Sequence, residues 1–140
     1  MDSKINKKSF LDNKIARVAI VGIITGVFYG TWAFYSNYEF GLTMAIRSAI
    51  VQAFSYGIAV CCSASLMEFL FSIGKQVIIK FLLASAGAGG LMLAIFVGIH
   101  IVNGTPNMVK TLLLPTLIAT PYYILYPLGL ARREVRSPIS

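Results

Sequence analysis

Four long apolar runs, separated by short polar breaks, take up most of this chain of 140 residues. They cover Val18–Tyr35, Ala45–Phe71, Val77–Val102 and Thr111–Leu130. Each run reaches the ~18 residues that a helix needs to cross a hydrocarbon core about 30 Å thick. Because 57% of the residues are hydrophobic and only 12% are charged, the chain cannot cover four such runs with a polar surface. The sequence therefore predicts an all-α integral membrane protein, a bundle of four transmembrane helices.

The polar breaks set the predicted boundaries of these helices. We expect a single transmembrane domain over residues 1–140, with helices at 15–36, 43–72, 76–102 and 109–130. A basic polar tail (1–14) precedes the first helix, and a second basic tail (131–140) follows the last. A secretory signal peptide is the alternative for the first segment, but its apolar region exceeds the usual length of about 7–15 residues and no small-residue cleavage pattern follows it.

Lysine and arginine are distributed unevenly between the two ends of the predicted helices. Ten of the 12 lie in the N-terminal segment, around the second break or in the C-terminal tail; the other two, Arg47 and Lys110, lie near the first and third breaks. Because basic residues resist translocation, we expect both termini on the cytoplasmic side of a bacterial inner (cytoplasmic) membrane. The net charge of +7 favours contact with anionic membrane lipids. The sequence has no basic patch interleaved with exposed aromatic residues, so it does not indicate nucleic-acid binding.

Small residues recur every three or four positions in the first three runs. In lipid, helices associate through close backbone approach and interhelical hydrogen bonds, so such stripes indicate packing faces. The first run has Gly22, Gly26 and Gly30, the second has Ser48, Gln52, Ser55, Ala59 and Ser63, and the third has Ala86, Gly90, Ala94 and Gly98. We predict that these stripes pack helices within one bundle. The alternative is that the glycines of the first run form an exposed face for a partner helix.

The fourth run carries three prolines, Pro115, Pro121 and Pro127. Each proline removes a backbone hydrogen bond and favours a kink. Such a helix either packs as a kinked helix or lines a cavity, and the pattern favours the first.

Charged and amide side chains at membrane depth are costly, so each is a candidate functional residue. Arg47, Gln52 and His100 map to the outer half of the bilayer, and Glu39 and Lys110 border the same side. We predict that these five residues form an outward-facing polar pocket for a ligand. For His100 the alternative is a hydrogen-bonded packing residue.

Glu68 maps to the opposite face of the membrane, because it follows Arg47 by about 31 Å of helix. Basic residues lie near it at that face, and Lys75 is among the nearest in sequence. Arg17 and Lys14 are also within reach of Glu68, and we predict Lys75 as its candidate ion-pair partner.

The sequence contains no residue pattern that is typical of an enzyme active site. There is no paired-carboxylate spacing, no Ser/His/Asp grouping and no metal-ligand spacing, and the adjacent Cys61 and Cys62 are expected to stay reduced. We therefore expect a protein that is not an enzyme, with no cofactor and no metal site.

Two functions remain open. The first is a non-catalytic accessory or assembly subunit of a membrane complex, which the small size and the small-residue stripes favour. The alternative is a small homo-oligomeric transporter, flippase or channel that uses the outward-facing polar pocket. The expected partners are membrane lipids and either further copies of the chain or a larger membrane protein complex.

Overall fold

A computed structural model describes residues 14–136, and every element in this part of the chain is helical. The four long helices are α1 (Lys14–Asn37), α2 (Leu42–Ile73), α3 (Val77–Asn103) and α4 (Met108–Arg136), with a short 3₁₀ turn at Tyr38–Phe40. By length and composition, all four helices are able to cross a membrane, which confirms the predicted architecture at that level. Residues 1–13 of the predicted N-terminal tail and residues 137–140 lie outside the described part.

One helix end differs clearly from the sequence prediction. α4 continues to Arg136, although the C-terminal tail was expected to begin at residue 131. Arginine is a good helix former, and its positive charge interacts favourably with the C-terminal end of the helix dipole. The last helix therefore extends past the end of its apolar run.

Two glycines with positive φ shape the end of the bundle opposite both described chain ends, here called the loop end. Gly41 (φ 97°) precedes α2, and Gly104 (φ 64°) ends α3. The Gly104 N–H donates to the Ile101 carbonyl and the Thr105 N–H donates to the His100 carbonyl, both at 3.0 Å. This is a Schellman motif, in which a left-handed glycine satisfies the last carbonyls of a helix. It turns Thr105 back onto the end of α3.

Helices α1 and α2 approach each other closely along the glycines of α1. A Cβ added at Gly26 would lie 2.6 Å from the Ala53 carbonyl oxygen. A Cβ added at Gly22 or Gly30 would lie 3.0 Å from a carbonyl oxygen of α2. The structure thus places the three glycines against α2, inside the chain's own bundle.

Helices α2 and α4 each contact the other three helices, and α2 has the longest contact, along α1. The buried side chains of α2 recur every three or four residues: Ala45, Ser48, Gln52, Tyr56, Ala59, Ser63, Met67 and Phe71. Towards the loop end, the Tyr56 ring stacks on the Phe96 ring with centroids 4.0 Å apart. Towards the opposite end, here called the terminal end, Met67 belongs to a second buried cluster with alanines of α3 and α4.

Most of the small-residue stripe of α3 is exposed rather than packed tightly against another helix. Ala84 and Ala88 are the fully buried small residues of this helix, next to a π turn at Leu83–Gly87. A four-residue spacing drifts by about 40° per step around a helix, and a π turn shifts the face further. The predicted packing role is therefore corrected: Ala86, Gly90 and Ala94 are exposed, and a Cβ added at Gly90 or Gly98 would meet nothing within 4 Å.

The three prolines lie inside α4, and the helix continues through all of them. Pro115 and Pro127 are fully buried. A crevice of about 320 Å³ separates part of α4 from α3, and Pro115 and Tyr123 are among its lining residues. The proline-containing helix thus packs through two of its prolines and also borders a crevice.

Candidate functional site

A buried hydrogen-bond network lies at the loop end, and its centre is the contact between Gln52 of α2 and His100 of α3. Gln52 is 0% and His100 1% exposed, and Gln52 Oε1 is bonded to His100 Nε2. Because an amide oxygen only accepts, Nε2 carries the ring proton, and Nδ1 of the neutral imidazole is then an acceptor. Each side chain thereby supplies a hydrogen-bond partner that the other needs in its buried position.

The His100 ring is connected to Arg47 through two further side chains. The Thr105 hydroxyl donates to His100 Nδ1 at 2.8 Å. The same hydroxyl oxygen accepts a hydrogen bond from Asn103 Nδ2 at 2.9 Å. Asn103 Oδ1 accepts in turn from Arg47 Nε at 2.9 Å. A continuous chain of hydrogen bonds therefore runs from Gln52 to the guanidinium of Arg47.

A second branch runs from Gln52 to α1 and α4 through Thr111. Gln52 Nε2 lies 3.5 Å from the Thr111 carbonyl oxygen. The Thr111 hydroxyl donates to the Asn107 carbonyl at 2.7 Å and accepts from Asn37 Nδ2 at 2.8 Å. Asn37 Oδ1 accepts from the Asn107 N–H at 3.0 Å. The two branches together join all four helices at the loop end.

Glu39 and Lys110, which were predicted to border the pocket, lie at the edge of this network. Glu39 is exposed, and its Oε1 is 3.5 Å from Asn107 Nδ2. The Lys110 carbonyl accepts from Trp32 Nε1 at 3.0 Å. Its Nζ lies 5.3 Å from the centroid of the Tyr35 ring, a cation–π geometry. The Lys110 side chain thus contacts α1 and is not among the hydrogen-bond partners of Gln52 or His100.

The structure joins Gln52, His100 and Arg47 without giving them a shared cavity. A groove of about 440 Å³ is lined by Arg47 and Asn103. A separate groove of about 330 Å³ is lined by His100 and Thr105. The Gln52 amide is fully buried and bonded on both of its sides. In place of the open polar pocket that was predicted, the centre of the site is a closed, neutral network that fixes the helices relative to one another.

Four members of this network were not among the predicted site residues: Asn37, Asn103, Thr105 and Thr111. They lie at or just beyond the ends of apolar runs, where polar residues are expected in any case. The requirement that the side chains of Gln52 and His100 find partners in lipid is the signal that points to them. They are polar residues at a similar depth on other helices or loops.

The terminal end does not contain the predicted ion pair between Glu68 and Lys75. Glu68 accepts a hydrogen bond from the Tyr126 hydroxyl of α4. Among the described residues, the ion pair at this end joins Lys80 Nζ to Glu134, with oxygens at 2.9 and 3.0 Å, while Lys75 is exposed. The prediction is corrected because sequence spacing fixes the depth of Glu68 but not the direction of its side chain, which is towards α4.

Comparison with known protein families, curated proteins and solved structures finds no match for this chain. The role of the site therefore rests on its geometry. A closed network can hold four helices in one arrangement, and at one of its edges it orients the guanidinium of Arg47.

Proposed function

We propose that this protein is a non-catalytic accessory or assembly subunit of a larger membrane complex. The observation that carries the proposal is the exposure of Ala86, Gly90 and Ala94, here called the α3 face. These residues are exposed, and the space beside Gly90 is open. Small residues let the backbones of two membrane helices approach closely. Ala86 and Gly90 line the crevice of about 320 Å³ between α3 and α4, which the chain's own side chains leave unfilled. A helix of another subunit is the occupant that such a face suits.

The closed network at the loop end supports this proposal over transport. A transport path needs polar groups that can exchange a protein partner for a substrate. Gln52 and His100 are bonded to each other and buried, and both groups of the Gln52 amide are engaged. The deepest polar side chains of the loop end thus serve the fold, which suits a subunit that works through contact rather than passage.

The charge distribution supports a cytoplasmic position for both termini in a bacterial inner membrane. In the described part of the chain, the basic side chains of the terminal end include Lys75, Lys80 and the arginines of α4 that follow its apolar run. The loop end has Arg47 and Lys110. Basic loops are retained in the cytoplasm, which supports the cytoplasmic side for the terminal end.

The test is the mass of the protein after mild detergent extraction from the membrane of its own host. We expect the wild-type chain in a hetero-oligomer, and we expect Gly90→Leu to release it, because leucine would fill the open space on the α3 face. Gly129→Leu is the matched control, since a Cβ added at Gly129 also meets nothing within 4 Å but lies on α4. A monomer would overturn the proposal, and so would a homo-oligomer, which would favour the transporter alternative.

A further inference from the structure

Arg47 has an unused hydrogen-bonding edge at the loop end. The side chain is exposed, and its Nε donates to Asn103 Oδ1 at 2.9 Å. Among the described residues no carboxylate pairs with it, and the two Nη groups have no protein acceptor. The guanidinium presents N–H donors in a planar fork that matches a carboxylate or phosphate group. This fork therefore lacks an anion.

The position of this fork is set from inside the protein. Asn103, which holds Nε, is 8% exposed and donates to Thr105. Thr105 is bonded to His100, and His100 to Gln52. An arginine on a membrane surface ordinarily samples many rotamers, and ordering them costs conformational entropy. Here the buried chain of hydrogen bonds restrains the guanidinium before any anion binds.

An apolar groove begins directly at Arg47 and Asn103 and runs between α2 and α3. It has a volume of about 440 Å³, and its remaining lining residues are Val51, Ile95, Gly98, Ile99 and Val102. Gly98 leaves it open, because a Cβ there would meet nothing within 4 Å. Gly98 precedes Asn103 by about 7.5 Å of helix, and Ile95 by about 12 Å. The groove therefore leads from the charged group towards the membrane interior.

We propose that Arg47 and this groove bind one phospholipid molecule, with the phosphate on the two Nη groups and one acyl chain along Gly98. The occupant must combine an anion at the membrane surface with an apolar chain below it. A phospholipid has both parts at this spacing, and guanidinium–phosphate pairs are strong because they are bidentate and charge-assisted. A transmembrane helix seated in the same groove would leave the guanidinium fork without an anion. The site is independent of the proposed function as a subunit.

The test is native mass spectrometry of the intact protein in detergent, titrated with phosphatidylglycerol. We expect one tightly retained lipid on the wild-type chain. Arg47→Gln removes the fork, and Gly98→Leu fills the groove without an internal clash, so each should weaken this binding at least tenfold. Gly129→Leu should stay within twofold of the wild type. The melting temperature without lipid should not fall with Gly98→Leu, because leucine is a better helix former than glycine and meets no obstacle there. This measurement separates lost binding from lost folding.

Two further probes separate the parts of the ligand. Diacylglycerol with the same acyl chains lacks the phosphate, and inorganic phosphate lacks the chains, so neither should bind with an affinity within tenfold of phosphatidylglycerol. Equal affinity of diacylglycerol would show that the groove alone binds lipid, and equal affinity of inorganic phosphate would show that Arg47 alone binds the anion. Either result would overturn the proposal, as would wild-type lipid binding by Gly98→Leu.

Discussion

Substituting Gly26 tests whether the contact between α1 and α2 limits the stability of the bundle. A Cβ at this position would lie 2.6 Å from the Ala53 carbonyl oxygen, which is 0.8 Å short of the 3.4 Å at which ordinary contact begins (3.4 − 2.6). The obstacle is backbone in the middle of α2, so it cannot be relieved by a rotamer change. The two helices must separate, and they then lose contacts along the whole glycine stripe.

The expected size of the effect follows from two opposing terms. Overpacking a tight contact costs about 1–3 kcal/mol, whereas replacing glycine by alanine inside a helix gains about 1 kcal/mol. Gly26→Ala should therefore range from neutral to about 2 kcal/mol less stable. Gly129→Ala has the gain without the clash and should be about 1 kcal/mol more stable, because a Cβ there meets nothing within 4 Å. The free energy difference between these two variants isolates the overpacking term.

Reversible unfolding in mixed detergent micelles measures both variants. Gly26→Leu extends the series, because its larger side chain should lower the unfolding midpoint well below that of Gly26→Ala. Leucine at Ile23 or Val27 is the matched control, since these side chains are 67% and 63% exposed on the same helix. The reasoning would be refuted if Gly26→Ala were as stable as Gly129→Ala, or if the two leucine controls were as destabilised as Gly26→Leu.

Two further predictions concern the network and the topology. Gln52→Leu or His100→Leu alone should lower the free energy of unfolding by about 1–3 kcal/mol, because each leaves a buried polar partner unsatisfied, and the double variant should cost less than the sum of the two. If the losses of unfolding free energy in the two single variants simply added up in the double variant, Gln52 and His100 would not be energetically coupled. In a background without the native cysteines, Ser3→Cys and Tyr38→Cys should react with a membrane-impermeant thiol reagent from opposite sides of the membrane; labelling from one side would contradict the topology.

The helices were predictable because apolar length and charge act along one dimension, the depth in the membrane. The same is true of the relative depths of Arg47, Gln52 and Glu68. The direction of a side chain around its helix is a second dimension that the sequence constrains less. Over the two turns between Gly22 and Gly30 the spacing stays close to one face, and the structure puts that face on α2. Over the three turns between Ala86 and Gly98 the drift is large: Ala86, Gly90 and Ala94 are exposed, and only Gly98 reaches the groove beside α2.

The polar site illustrates the same limit. Depth alone grouped Gln52 and His100, but it could not reveal that they satisfy each other. An open pocket and a closed network contain the same residues at the same depth, and they differ only in whether Thr105 and Thr111 occupy the remaining hydrogen-bonding positions. Thr105 reaches His100 because Gly104 adopts a left-handed conformation and reverses the chain. Such a local turn decides the chemistry of the site.

The position of the network along the chain has a consequence for the order of biosynthesis. Gln52 is synthesised with the α1–α2 hairpin, whereas its partners His100 and Thr111 belong to α3 and α4. A hairpin released into the bilayer by itself carries an amide in lipid without these partners, which is unfavourable. The glycine contact can hold the first two helices together. The Gln52 amide, however, gains its hydrogen-bond partners only after α3 and α4 have entered the membrane. A chain truncated after α2 is accordingly expected to be a substrate for membrane proteases.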